Sequence, residues 1–213
     1  RRFQDPLAEL VKIDPKSIGV GQYQHDVDQK MLKRSLDEVV ESCVNYVGVN
    51  LNTASASLLS YVSGLNRTLA RNIVAHRNEN GAFRERKELM TVARFGPKSF
   101  EQSAGFLRIK GGANPLDGSA VHPENYATVE KMAQDCNLTV VDLIGNEPVL
   151  TKIDLSRYEG DSAGRLTLVD MIDELKKPGR DPRSEYVGAK LNEAVQTIKD
   201  LEPGMVLEGT VTN

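Results

Sequence analysis

The chain has 213 residues, 39% hydrophobic and 27% charged, with a formal net charge of −3. This is enough apolar material for one or two packed domains, but aromatics are sparse and Trp is absent, so the core must rest on Leu, Val, Ile and Ala. No apolar run approaches the ~18 residues of a membrane helix, and no signal-peptide pattern is present. Cys43 and Cys136 lack metal-ligand spacing, so free thiols in a reduced, cytoplasmic setting are the expectation. Arg1 stands where a complete chain would have Met, which reads as a piece of a longer protein.

Residues 5–12 read as a short helix with Leu7, Leu10 and Val11 on one side, broken at Asp14-Pro15. Gly19 to Gln24 reads as a loop. Asp28 to Tyr46 is a longer helix whose apolar stripe is Met31, Leu32, Leu36, Val39, Val40 and Cys43. The adjacent His25 and Asp26 fit a structural or exposed loop pair better than a catalytic one. Asn52 is placed as the N-cap of a helix to about Val62. Arg67 to Asn78 carries Leu69, Ile73 and Val74 inward, with Gly81 as its stop and Phe83 as a core anchor. A short helix follows over Arg86 to Thr91, and Pro97 fits the first turn of the next.

Two similar punctuation marks separate these helices, Ser63-Gly64-Leu65-Asn66 and Arg94-Phe95-Gly96-Pro97, about thirty residues apart. Each reads as a hairpin between helices. Gly64 and Gly96 supply backbone freedom, while Leu65 and Phe95 plug the hairpin into the core. Each hairpin opens a helix whose first amides lack intrahelical partners, and such an end attracts phosphate.

Gly111 to Ser119 reads as a linker. Tyr126 to Cys136 is helical with Val129, Met132 and Ala133 inward. Thr139 begins a short helix ending at a weaker hairpin-like mark, Ile144-Gly145-Asn146. Thr167 is placed as the cap of a helix through Leu175, with Leu168, Met171, Ile172 and Leu175 periodic. Lys176 to Arg183 is a basic, turn-rich exit, and Pro203 to Thr212 alternates as a strand.

Charge divides unevenly. Residues 61–110 carry ten bases and four acids, a net +6, whereas residues 111–200 sum to −6. The positive excess coincides with the hairpins, where a polyanion would need it. The acidic half fits a structural or protein-contact role. No Ser-His-Asp order, phosphate loop, zinc spacing or carboxylate pair stands out, so no enzyme, catalytic residue, metal or cofactor is expected. His76 could touch phosphate, although a surface or interface role suits it better.

The segment from Val49 to Ile109 resembles a tandem helix-hairpin-helix unit. Asn50-Leu51-Asn52-Thr53-Ala54-Ser55 is similar to its entry, and Arg77-Asn78-Glu79-Asn80-Gly81-Ala82-Phe83 to its central turn. The usual Gly-apolar-Gly hairpin is changed twice, to Gly64-Leu65-Asn66 and Arg94-Phe95-Gly96. Asn tolerates the left-handed conformation. Arg94 does so less readily, which puts phosphate binding by the second hairpin in question.

Over nearly its whole length the chain resembles the Tex family of bacterial transcription accessory proteins. The likeness extends to Gly19-Val20-Gly21-Gln22-Tyr23-Gln24-His25-Asp26-Val27, His122-Pro123-Glu124, Lys177-Pro178-Gly179-Arg180-Asp181-Pro182-Arg183 and Pro203-Gly204-Met205-Val206-Leu207-Glu208. The resemblance implies a mainly α fold. Residues 1–46 would be the tail of a ribonuclease-H-like domain and its connecting helix, 47–110 the tandem unit, and 111–183 a second small helical, hairpin-related domain. Residues 184–213 would be a linker and the first strand of a truncated OB-fold RNA-binding domain. The implied partners are nucleic acid, as RNA or DNA backbone, and the transcription machinery, with no membrane. The hairpin backbone at Gly64, Leu65, Asn66, Phe95 and Gly96 would face phosphates, and Arg67, Arg71, Arg94 and Lys98 would supply charge. A protein-interaction scaffold is the alternative.

Overall fold

A computed structural model describes residues 6–160, 163–178 and 203–206. Arg1–Pro182 and Arg183–Asn213 are two compact units. In the second, Pro203 and Gly204 form a turn, and Val206 is exposed. The expected linker over 184–202 and the basic exit beyond Pro178 lie outside the described residues; of the strand expected over Pro203 to Thr212, residues 203–206 are not strand and the part from Leu207 onward lies outside the described residues.

The first unit is mainly helical. Helix α1 (Pro6–Leu10) buries Ala8. Asp28 then caps α2 (Gln29–Val47), its carboxylate accepting from the amides of Lys30 and Met31, both at 2.8 Å. The apolar stripe read from the sequence of α2 is only partly a core face: Val40 packs against the first core and Leu32 and Leu36 are half-buried, but Met31 is 71% and Val39 58% exposed, and Cys43 is exposed as well. The helix meets the core through its C-terminal half, where Val40 packs against it and Val44 is buried. There Asn45 fastens it, donating to Tyr61 O and Ser63 Oγ and accepting from the Ser63 amide.

Strand β1 (Val49–Asn50), α3 (Ala56–Leu59), α4 (Arg67–Asn80), α5 (Pro97–Ser103) and β2 (Leu107–Arg108) form the first packed body. The strands pair in parallel, Val49 opposite Leu107 and Asn50 opposite Arg108. A parallel pair needs a long crossover. Here the crossover is both hairpins, so two residues on each side close the ends of the body. The core holds Leu51, Leu59, Ile73, Phe83, Leu89 and Leu107.

Asn52 is not a helix cap. Ser55 takes that place for the shorter α3, accepting from the Leu58 amide. Asn52 instead pairs with the backbone of Phe83, donating to its carbonyl and accepting from its amide, each at 2.9 Å. Asn52→Ala removes two half-buried bonds and is expected to cost about 1–2 kcal/mol, measured by urea denaturation.

A second core lies over α6 (Tyr126–Asp135), α7 (Val140–Leu143), α8 (Glu147–Leu150) and α9 (Arg165–Lys176), with Val129, Met132, Leu143, Leu150, Leu168 and Leu175 buried. Thr139 and Asp142 form a reciprocal capping box on α7. Helix α9 starts one turn earlier than expected, because Gly164 rather than Thr167 takes the extended cap position.

Residues 111–119 are not a free linker. Leu116, Asp117 and Ser119 are buried, and the Ile109 amide donates to Asp117 O at 2.7 Å. They surround Arg86, which is 1% exposed. Its Nε donates to Leu107 O at 2.7 Å, and Nη1 to Val121 O and the Tyr126 hydroxyl at 2.7 and 2.6 Å. Nη2 donates to Ser119 O. The Arg86 amide and the Tyr126 hydroxyl donate to the two carboxylate oxygens of Asp117. One guanidinium thus joins residues of both cores.

Candidate nucleic-acid interface

The two hairpins share one backbone. Gly64 has φ +81° and Arg94 has φ +65°, so Arg94 occupies the left-handed position that Gly64 holds in the first copy. The next residue points inward in each, Leu65 at 9% and Phe95 at 5% exposure. Their amides donate to Val62 O and Val92 O, both at 3.0 Å. The helix cap follows with φ and ψ of −109° and 172° at Asn66, and −107° and 172° at Gly96. The question raised by Arg94 is therefore settled for the backbone: the hairpin forms around it. An L residue in this region costs about 1–2 kcal/mol. Arg94→Gly is expected to gain roughly 0.5–1 kcal/mol after the entropy of a freer unfolded chain is subtracted, read as a rise in melting temperature.

Leu65 and Phe95 are the plugs expected from the sequence: their side chains are buried, and their amides are used inside the turn rather than left for a ligand. The amides of the following helix turns are further donors. On α4 the Leu69 amide is taken by the Asn66 side chain at 2.9 Å, so the free end is built on Arg67 and Thr68. On α5 Pro97 has no N–H and Gly96 has no side chain to cap with, so the corresponding end is Lys98 and Ser99. Thr68 and Ser99 were not singled out in the sequence; their place after the cap is the signal that identifies them.

Arg67, Arg71, Arg94 and Lys98 are all exposed. Arg67 and Arg71 lie one turn apart on the same face of α4. Asn72 holds the second hairpin to that helix, donating to Ala93 O at 2.7 Å. Not all of the basic excess is available to a ligand. Arg86 is enclosed, Arg108 is 9% exposed, and Arg77 donates to the carbonyls of Leu51 and Ala54. Seven of the ten bases, among them the four expected at the site, remain exposed. His76 belongs to the fold, stacked on Phe83 with ring centroids 5.2 Å apart. The third mark is also a turn, with Gly145 at φ +78°, but its amide donates to Leu175 O.

Among the described residues no helix is long and apolar enough to cross a membrane. Residues 44–108 match the helix-hairpin-helix motif family, and residues 114–183 match the HHH domain family. The whole chain aligns with the transcriptional accessory protein Tex of Neisseria gonorrhoeae at 59% identity, covering 28% of that protein. It aligns at 60% with protein tex of Bordetella pertussis, covering 27%. It also aligns at 37% with the human S1 RNA-binding domain-containing protein 1, again covering 27%. The chain thus spans about a quarter of the length of these relatives. With both hairpin families matched and the alignment running over all of its residues, the chain belongs to the Tex family and carries that family's helix-hairpin-helix region.

Proposed function

We propose that the chain is a cytoplasmic, non-enzymatic nucleic-acid-binding scaffold of a transcription accessory protein, holding phosphate backbone without reading sequence. The observation that carries this reading is the repeated hairpin. Two turns with matching backbone angles each deliver an exposed, cationic helix start, Arg67 with Arg71 and Arg94 with Lys98. Uncapped amides and guanidinium groups together suit phosphate oxygens. Contacts of this kind position a backbone and carry no base information. The names of the relatives support the setting, one as a transcriptional accessory protein and one as an S1 RNA-binding domain protein. The free thiols of Cys43 and Cys136 fit a reduced compartment.

The acidic half supports a second reading, in which this half meets a component of the transcription machinery while the hairpins serve as folding devices. Titration of the chain against single- and double-stranded DNA and RNA of unrelated sequences separates the two. The scaffold for nucleic acid is expected to bind unrelated sequences alike, with affinity falling steeply as salt rises. Absence of binding at low salt would favour the protein-contact reading.

A further inference from the structure

We propose that a strand held at the first hairpin continues into a second phosphate subsite on its flank, which Lys12 completes from outside the matched motif. This rests on the nucleic-acid reading above. A groove of about 320 Å³ runs beside the hairpin, lined by Arg67 and Arg71 of α4, by Ser57, Ser60 and Tyr61 at α3 and its exit, and by Lys12 just after α1. Three cations from two segments far apart in sequence face one space. The Ser60 hydroxyl is engaged with Ser57 O at 2.8 Å, so the positively charged groups are the main donors left for an anion. Lys12 Nζ sits 2.9 Å from Glu9 Oε1, with both side chains partly exposed. Such a pair is weak and leaves two further N–H groups on the ammonium. A phosphodiester is the occupant that fits: its charge answers the cations, and its sugar meets the hydroxyl-bearing wall.

No local pattern joins Lys12 to the hairpins, since it lies about 55 residues before Arg67 and outside residues 44–108. The fold brings them together by packing α1 on the first core through Ala8 and Val11.

The test uses the 213-residue chain and fluorescein-labelled 12-nucleotide oligo-dT, titrated at several salt concentrations. Lys12→Gln is expected to weaken binding roughly three- to five-fold at low salt and to flatten the log–log salt slope by about 0.7. Glu9→Gln, which frees the ammonium, is expected to tighten binding. Arg94→Gln with Lys98→Gln serves as an independent probe of the second hairpin. If that pair weakens binding while the Lys12 and Glu9 variants match the parent, the groove is no subsite and the hairpin reading stands. If all three match the parent, the groove is no subsite and the second hairpin holds no phosphate either. Thymidine monophosphate, titrated alone, separates a strand from a free nucleotide: a Lys12→Gln effect on the monophosphate without one on the 12-mer would overturn the strand assignment.

Discussion

Replacing Arg86 with Met is expected to lower the unfolding free energy by about 3–5 kcal/mol. The guanidinium is 1% exposed and donates to three carbonyls and a phenol. Met can fill part of the volume but returns none of those bonds, and it leaves Asp117 as a buried carboxylate without its cation. Arg86→Lys keeps the charge but cannot reproduce the planar fork, so it too should destabilise, by roughly 2 kcal/mol. Tyr126→Phe removes the bond to Asp117 and an acceptor for Arg86, at about 1–3 kcal/mol. Burial, reinforced by its bond to Asp117, raises the Tyr126 phenol above the usual tyrosine range. A raised acid keeps its proton in the fold after the unfolded chain has lost it. Its contribution is therefore full below about pH 10 and declines as pH rises further. Urea denaturation of the parent and the three variants measures each effect.

Gly64→Val is expected to cost about 3 kcal/mol or more and to abolish nucleic-acid binding with it. Two costs add. The residue has φ +81°, where a branched side chain is strained. An added Cβ would also lie 2.6 Å from Cβ of Gln102 and 3.2 Å from its carbonyl carbon, so α5 would have to move. Gly81 provides the control, with φ +91° but nothing within 4 Å of an added Cβ. Gly81→Ala should show the strain alone, about 1–2 kcal/mol, and Gly64→Ala distinctly more. Equal losses in the two Ala variants would show that the close approach of α5 does not matter.

That pair of glycines also explains what the sequence could and could not tell. Helix-forming segments, the buried faces of α4, α6 and α9, and the plugs Leu65 and Phe95 all follow from local periodicity and turn chemistry. Gly64 was recognisable as a turn residue; its contact with Gln102 was not, because that contact joins positions nearly forty apart. Asn52 and Arg86 failed for the same reason. Asn52 carries every local mark of a cap, yet its amide matches a backbone turn 31 residues away. Arg86 counts as surface charge in any composition argument, yet it sits at the junction of two cores. The stripe on α2 holds only in part, Val40 packing on the core while Met31 and Val39 stay exposed: periodicity reports an apolar face and is silent about what covers it.

The most direct test of the central claim compares the parent with the Arg67→Glu/Arg71→Glu variant on duplex DNA, with affinity across salt and melting temperature measured on the same samples. Both residues are exposed at the start of α4, so the melting temperature should hardly change. Affinity should fall sharply at low salt, and the log–log slope should flatten by roughly one unit for each lost phosphate contact. Glu124→Lys with Glu130→Lys, in the acidic half, should bind like the parent or slightly more tightly. If the Arg67/Arg71 variant keeps the parent's affinity and slope at low salt, the first hairpin is not a phosphate site, and the protein-contact reading takes its place.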